Sequence, residues 1–309
     1  MTVIDRLPQQ RDGCSFGNAG MIVPSHFVPL AAPGAVSTAL KWMCNPESPL
    51  YIKPRLDSEL ISWSWKFMRA ANASHVARSA PLLRDLHLAS RASFEELAAI
   101  SENDFGLVQR GLVMLCKTAE ALEHEAAYAK QAKDLGVPVE VLDPKALGKL
   151  DPDVTMDVAG GVYFPKDCHL SPSRFMASLE TQCAQRGVEF HWSGEVQPLM
   201  EGDHGVRAVK TSKGEVTFDE LVVCCGSWSP GLVRDLGLKL PMQAGKGYSL
   251  TLTKPRQLPR LCSICAEARV AVTPMGQQLR FGGTMEIAGL NQEINPVRVQ
   301  RIKIGRAHV

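Results

Sequence analysis

Thr2-Val3-Ile4-Asp5-Arg6 is a short, largely apolar run closed by an acid, and it is followed by the loop Ser15-Phe16-Gly17-Asn18-Ala19-Gly20-Met21-Ile22. An acid at the end of a dinucleotide-fold strand accepts hydrogen bonds from an adenosine ribose, and it normally lies about 20 residues beyond a Gly-x-Gly-x-x-Gly turn. Asp5 has no room for that turn before it. Either it is an ordinary strand-end acid, or the strand, turn and helix that should precede it are missing from this sequence. A second junction, Leu221-Val222-Val223-Cys224-Cys225-Gly226-Ser227-Trp228-Ser229-Pro230, reads as a strand running through Gly into a helix start, where a ligand can sit at strand ends.

Other chemistries are poorly supplied. Cys262-Ser263-Ile264-Cys265 has the C-x-x-C spacing, but no second Cys or His pair completes four zinc ligands, so no metal site is expected. Nine cysteines, two of them adjacent at Cys224 and Cys225, are an odd count and read as reduced core residues of a cytoplasmic protein. The formal charge of +2 is the difference between 34 basic and 32 acidic residues, and no Lys/Arg block is present, which excludes nucleic acid as the expected partner. No apolar run approaches the ~18 residues that span a bilayer, and the first residues lack a signal-peptide layout.

The elements that must position these residues follow from spacing. A chain of 309 residues with 45% hydrophobic side chains can bury the core of about two domains. Met1 to Arg6 resembles the last half of a buried strand, and the Gly/Pro-rich segment from Arg11 to Gly34 should be a loop that touches something. Between Pro81 and Ser101, Leu83, Leu86, Ala89, Phe94, Leu97 and Ala98 recur at helical spacing, predicting a helix with one face on the core. A second, polar helix is predicted from Glu120 to Gly136. Phe105 to Cys116, broken by Gly106 and Gly111, reads as paired strands. Ser171-Pro172 can cap a helix that carries Phe175, Leu179 and Cys183 on one face and stops at Gly187. Strands are then expected at Val188–Trp192, Val206–Ser212, Val216–Phe218 and Leu221–Cys225. That order suits an open α/β nucleotide-binding sheet interrupted by a strand-rich domain.

Three segments together resemble the flavoproteins that include D-amino-acid dehydrogenase, glycine oxidase and sarcosine oxidase, through nearly the whole chain to about Asn295. They are the Asp5 strand with its Ser15–Ile22 loop, the stretch Val162-Tyr163-Phe164-Pro165-Lys166-Asp167-Cys168-His169-Leu170-Ser171-Pro172 with Gly194-Glu195-Val196, and the run from Leu221 to Pro230. Lys246-Gly247-Tyr248-Ser249-Leu250 and Arg280-Phe281-Gly282-Gly283-Thr284-Met285-Glu286 match the family's substrate-domain strands. Ala32-Pro33-Gly34 and Lys41-Trp42-Met43 bring D-amino-acid dehydrogenase nearest.

The resemblance implies an α/β fold: an incomplete Rossmann-like FAD-binding domain with an inserted α+β, strand-rich substrate domain. It assigns residues 1–35 and 150–240 to the first and 36–149 and 241–303 to the second. It implies FAD as cofactor, held by Asp5, Arg6, Ser15, Asn18, Ala19, Gly20, Met21, Val196, Cys225, Gly226 and Trp228. Gly and Ala in the loop let backbone N–H groups approach the ring and phosphates. The implied reaction is oxidation of the amine carbon of a D-amino acid by hydride transfer to flavin, the imine then hydrolysing to a 2-keto acid and ammonia. Rival readings are a glycine or sarcosine-type oxidase using oxygen, and a cofactor-free binding protein of the same fold.

Some relatives place an Arg directly after a Pro in the strand before the Gly-Gly-Thr segment to grip the substrate carboxylate. Met275 follows Pro274 here, which leaves Tyr248, Arg280, His169 and Lys246 as the substrate-side candidates. Arg280 reads equally as a solvated strand residue, and His169 as a satisfied structural histidine. Between Ala39 and Ala70, Trp42, Met43, Tyr51, Trp63, Trp65 and Phe67 alternate with Lys41, Lys53, Arg55, Lys66 and Arg69. That is the composition of an interfacial surface, although packing on the substrate domain explains the same residues. A peripheral contact on the inner membrane face would pass electrons to a quinone rather than to oxygen.

The ends carry expectations of their own. Ile304-Gly305-Arg306-Ala307-His308-Val309 is what one frame of a widely used short-read sequencing adapter encodes, and Lys303 is compatible with the codon before it. These six residues are read as an artefact, and the chain as lacking the first strand and Gly-rich turn of its cofactor site. Such a polypeptide is expected to be poorly stable and to bind little flavin.

Overall fold

The computed structural model describes residues 1–43, 48–201 and 205–306. The first part of the chain forms β1 (Thr2–Asp5), the single-turn α1 (Cys14–Gly17), β2 (Met21–Ile22), α2 (Ala35–Met43), β3 (Leu50–Ile52), α3 (Ser58–Ala70) and α4 (Ala73–Ile100). The middle forms β4 (Leu112–Cys116), α5 (Ala119–Asp134), β5 (Glu140–Leu142), α6 (Pro144–Leu150), β6 (Gly160–Phe164), β7 (Cys168–His169), α7 (Pro172–Gln185) and β8 (Glu189–Trp192). It closes with β9 (Ala208–Thr211), β10 (Gly214–Thr217), α8 (Ser229–Val233), β11 (Lys246–Leu252), β12 (Cys262–Cys265), β13 (Val270–Met275), β14 (Gln278–Ile287) and α9 (Pro296–Arg306).

An eight-stranded mixed sheet organises the body, in the order β11-β14-β13-β12-β4-β6-β5, with β3 on the β14 edge beyond β13. β12 runs parallel to β4 and β3 parallel to β14, while the other pairs are antiparallel. Alternation along each strand sends side chains to two cores. Leu112, Val162, Phe164 and Cys262 pack with Phe27, Ala129 and Ala132 on one face. Val270, Val272, Leu279 and Phe281 pack with Ile302 of α9 on the other.

Local chemistry sets several helix starts. Asp57, Asn72, Thr118 and Asp143 each accept a backbone N–H at the start of α3, α4, α5 and α6. α7 begins with Pro172 in its first turn, yet Ser171 makes no side-chain cap bond, contrary to the capping expectation.

The helix expected over Pro81–Ser101 starts eight residues earlier, at Ala73, with Pro81 inside it. Ala80 and Ala98 are buried while Leu86 is exposed, so this long helix touches the core only in places. Phe105–Cys116 supplies one strand, β4, whose partners are β6 and β12 rather than a strand of its own segment. β1 is half-buried rather than buried, and it pairs in parallel with β8 alone among the described strands.

The run Leu221–Cys225 forms no strand. Val222 is 80% exposed, and Cys224 and Cys225 are exposed rather than core residues. The physical reason is the absence of a neighbouring described strand to satisfy its backbone and cover its faces. Among the described residues, no helix is long and apolar enough to cross a membrane.

Candidate active site

The loop from Ser15 to Ile22 lies between α7 and the large sheet, where α1 packs on α7 and β2 pairs with β7. Three of its carbonyls point into the sheet. Arg280 Nη1 donates to Phe16 O and Asn18 O, both at 2.8 Å, and Ser249 Oγ donates to Gly17 O at 2.9 Å. Ala19 rests where Gly282 has no side chain, 3.4 Å from the position a Cβ would take. Gly20 is in the left-handed region (φ 67°), and a Cβ there would stand 2.3 Å from Leu170 O, so only Gly satisfies both constraints.

Because the carbonyls face the sheet, the other edge of the loop is available. The N–H groups of Asn18 and Ala19 donate to no protein group among the described residues. Asn18 Oδ1 accepts the Gly20 N–H at 2.8 Å and holds the turn. Two unpartnered N–H donors beside side-chain-poor backbone form a cradle for an electron-rich ligand edge.

A second group collects at the end of β1. Asp5 accepts the Leu7 N–H at 2.9 Å and pairs with Arg11 Nε at 3.4 Å. The Arg6 guanidinium stacks on Trp228 at 4.3 Å, and Cys225 feels the charges of both Asp5 and Arg6. Gly226 has φ 52° with open space where a side chain would be. Val196 packs with Ile4 and bridges to Thr211. The sequence-derived cofactor residues therefore fall into two sets, Asp5, Arg6, Val196, Cys225, Gly226 and Trp228 at the strand end, and Ser15 to Met21 in the loop.

Arg11 connects the two sets and was not singled out from the sequence. It pairs with Asp5 and with Glu180 of α7 (2.7 Å) and lies over the rings of Phe16 (5.2 Å) and Trp192 (4.3 Å). A lone Arg in a Gly/Pro-rich loop carries no periodic signal that could have marked it.

Of the four substrate-side candidates, Lys246 and Tyr248 meet at Glu286, while Arg280 and His169 have other surroundings. Arg280 is a loop clamp, neither solvated nor free, and burial holds its guanidinium below the usual range. Lys246 is ion-paired to Glu286 at 2.6 Å and donates to Glu293 O at 2.6 Å. Tyr248 donates to the same Glu286 at 3.0 Å. Arg298, fully buried on α9, approaches Glu286 at 4.0 Å, donates to Ser48 O and lies 5.3 Å from the Tyr51 ring. Lys246 and Tyr248 thus belong to a buried network centred on Glu286. Burial pushes the Glu286 carboxyl up, but bonds from Lys246 and Tyr248 and the Lys246 charge outweigh it and hold it low.

His169 is 1% exposed, and neither ring nitrogen has a partner, so it is buried but not satisfied. Burial lowers it to about 4, which keeps the ring neutral beneath β2. Beside it, Asp167 accepts both the N–H (3.1 Å) and the Oγ–H of Ser25, and burial raises its carboxyl to about 7. Among the described residues no group of three or more His, Cys, Asp or Glu side chains gathers at metal-binding distance.

Fold and site define a mixed α/β scaffold with a Gly/Ala loop laid on the large sheet and an acid at the end of β1. Comparison with known proteins gives the family: the FAD dependent oxidoreductase (DAO) model matches residues 1–305, and the chain belongs to that family. It is 33% identical over 297 residues to the D-amino acid dehydrogenase of Methylobacterium nodulans, covering 94% of this chain and 70% of that protein. The D-amino acid dehydrogenase of Allorhizobium ampelinum is 30% identical over 303 residues, covering 96% and 72%. Among solved structures, glycine oxidase from Geobacillus kaustophilus superposes with a TM-score of 0.72 at 18% identity, over 100% of this chain and 70% of that one.

The cofactor of this family is FAD, and the residues present fit it at two places. The free N–H groups of Asn18 and Ala19 suit the carbonyl edge of a flavin ring, and the Asp5 carboxylate suits a ribose hydroxyl. No Gly-x-Gly-x-x-Gly phosphate turn occurs in these 309 residues.

Proposed function

We propose that this chain is an FAD-dependent D-amino-acid dehydrogenase, oxidising the amine carbon of a D-amino acid to an imine that water converts to a 2-keto acid and ammonia. The observation that carries this reading is the 33% identity over 297 residues to a D-amino acid dehydrogenase, beside a Ser15–Ile22 loop packed on the Gly282 strand in the structure. When bound, the flavin supplies the hydride acceptor. The chain's own part is positioning. Arg280, Ser249 and Gly282 hold the loop in one conformation, and that rigid edge sets the plane against which a substrate carbon is presented. Asp5, with Arg6 and Trp228, would hold the adenosine side.

Electron transfer to a membrane quinone fits the surface of α3. Ile61, Trp65 and Met68 are exposed along one face, with Trp65 at 59%, and Lys66 and Arg69 stand beside them. The test is anaerobic reduction of the FAD-loaded protein. D-alanine is expected to bleach the flavin spectrum while L-alanine leaves it unchanged, and re-oxidation by a quinone analogue is expected to outpace oxygen. Bleaching by L-alanine alone, or rapid peroxide formation in air, would replace this reading with an L-specific enzyme or with an oxidase.

A further inference from the structure

We propose that the large sheet carries a second binding site, on the face turned away from the Ser15–Ile22 loop, for a linear alkyl carboxylate. Strand alternation separates the two faces. Ser249, Arg280 and Gly282 meet the loop on one side, while Leu279, Phe281 and its pairing partner Val272 turn to the other. There a cavity of about 520 Å³ is lined by Val113, Val272 and Phe281, by Leu147 and Leu150 of α6, and by most of the segment 254–261. That volume is of the size that holds small molecules. A second cavity of about 320 Å³ adjoins it, sharing Leu115 and Met156 in its lining. Two apolar spaces in a row suit an extended chain better than a compact body.

The charged groups of the larger cavity are arranged for an anion. Its acids are engaged: Arg260 grips Asp153 through two bonds at 2.6 and 3.0 Å, and Asp151, 4% exposed, accepts the Arg260 N–H at 3.0 Å. Burial raises the Asp151 carboxyl above its ordinary value, which lessens the negative charge that an entering anion meets. Lys254 and Arg256 line the same cavity, both exposed and, among the described residues, paired with no acid. Gln257 Oε1 accepts the Thr155 N–H at 3.2 Å, which leaves the Gln257 amide NH2 as a further donor. The occupant therefore needs an apolar body and one anionic head. An alkyl carboxylate supplies both, its chain covering the sheet and its head held by Lys254 and Arg256 on the solvent side. The sheet lies between this site and the loop, so an occupant here is not the substrate being oxidised.

Isothermal titration of the full chain with sodium octanoate, sodium hexanoate and 1-octanol tests the site without turnover. Octanoate is expected to bind, hexanoate about tenfold more weakly for its two missing methylenes, and octanol about tenfold more weakly for its missing charge. Lys254→Gln combined with Arg256→Gln should weaken octanoate about tenfold and leave octanol unchanged, and because both residues are exposed the fold should be unaffected. Ser263→Leu places a larger side chain in the cavity lining and should remove the binding of both compounds. Should that variant fail to fold, the double variant decides alone. No octanoate binding by the wild type, octanol binding as tightly as octanoate, or octanoate binding that survives the double variant or a folded Ser263→Leu variant unchanged overturns the site.

Discussion

Arg280 and Asn18 are 262 residues apart in sequence, yet the guanidinium of the first donates to the backbone carbonyl of the second at 2.8 Å and also to Phe16 O. The bond fixes which way the loop backbone turns. With the carbonyls tied to the sheet, the N–H groups of Asn18 and Ala19, each trans to one of those carbonyls, must look away from it.

Arg280→Met removes both bonds and leaves two carbonyls without their donor. A loss of about 2 kcal/mol or more in unfolding free energy is expected, since bonds to a charged donor are the stronger kind. FAD affinity should weaken about tenfold or more, measured by titration of the apoprotein. Arg280→Lys, which keeps the charge but not the fork, should fall between. Unchanged FAD affinity in both variants would show that the loop holds its shape without the clamp.

Asp167 predicts a pH dependence of stability. Its carboxyl is raised from 3.8 to about 7 in the folded chain, so between those values the folded state keeps a proton that the unfolded state releases. The stabilisation is full below pH 3.8 and is lost as pH rises toward 7, giving a downward slope in that window. Asp167→Asn can still accept the Ser25 N–H and cannot ionise, so urea denaturation across that range should lose this slope. An Asn variant with the wild-type slope would locate the titration elsewhere.

How much of this was legible in the sequence depended on whether local pattern or distant partners decided a residue's fate. The Ser15–Ile22 loop could be read because Gly and Ala are required wherever backbone must approach something closely, and Gly20 meets Leu170 O in just that way. α7 was readable from Pro172 and from the Gly187 stop. Arg280 was not, because a strand cation reads the same whether it faces solvent or a loop 262 residues away. That Lys246 and Tyr248 both bond to Glu286 is not legible in composition, because strand register sets Glu286 opposite Lys246. Leu221–Cys225 has the composition of a buried strand, and composition cannot report that no described neighbour pairs with it.

Glu286 joins Lys246, Tyr248 and Arg298, so Glu286→Gln leaves a fully buried guanidinium without its counter-charge. Breaking one side of a buried pair costs about 3–5 kcal/mol, and thermal unfolding should report a loss of that order. The double variant Glu286→Gln with Arg298→Met should recover part of it. The folded-state carboxyl lies below 4.5, so the network's contribution is present above that value and is lost only as pH falls through the lower folded-state value. A single variant as stable as the wild type would mean that Arg298 is held by its carbonyl acceptors alone.

The exposed face of α3 gives the last prediction. Leu60, Trp63 and Phe67 turn toward the body, with Trp63 and Phe67 stacked at 5.2 Å, which leaves Ile61, Trp65 and Met68 on the opposite side of the helix. An apolar stripe beside Lys66 and Arg69 lowers its free energy by sinking into the interface of an anionic bilayer, where side chains and cations are served at once. Co-sedimentation with vesicles containing phosphatidylserine should capture the protein, and salt should release part of it by screening the cations. Ile61→Ser with Trp65→Ser should lower the bound fraction about tenfold while leaving thermal stability within about 0.5 kcal/mol, because neither side chain supports the core. Wild-type protein that stays in the supernatant at low salt would exclude this face as a membrane contact and favour a soluble electron acceptor.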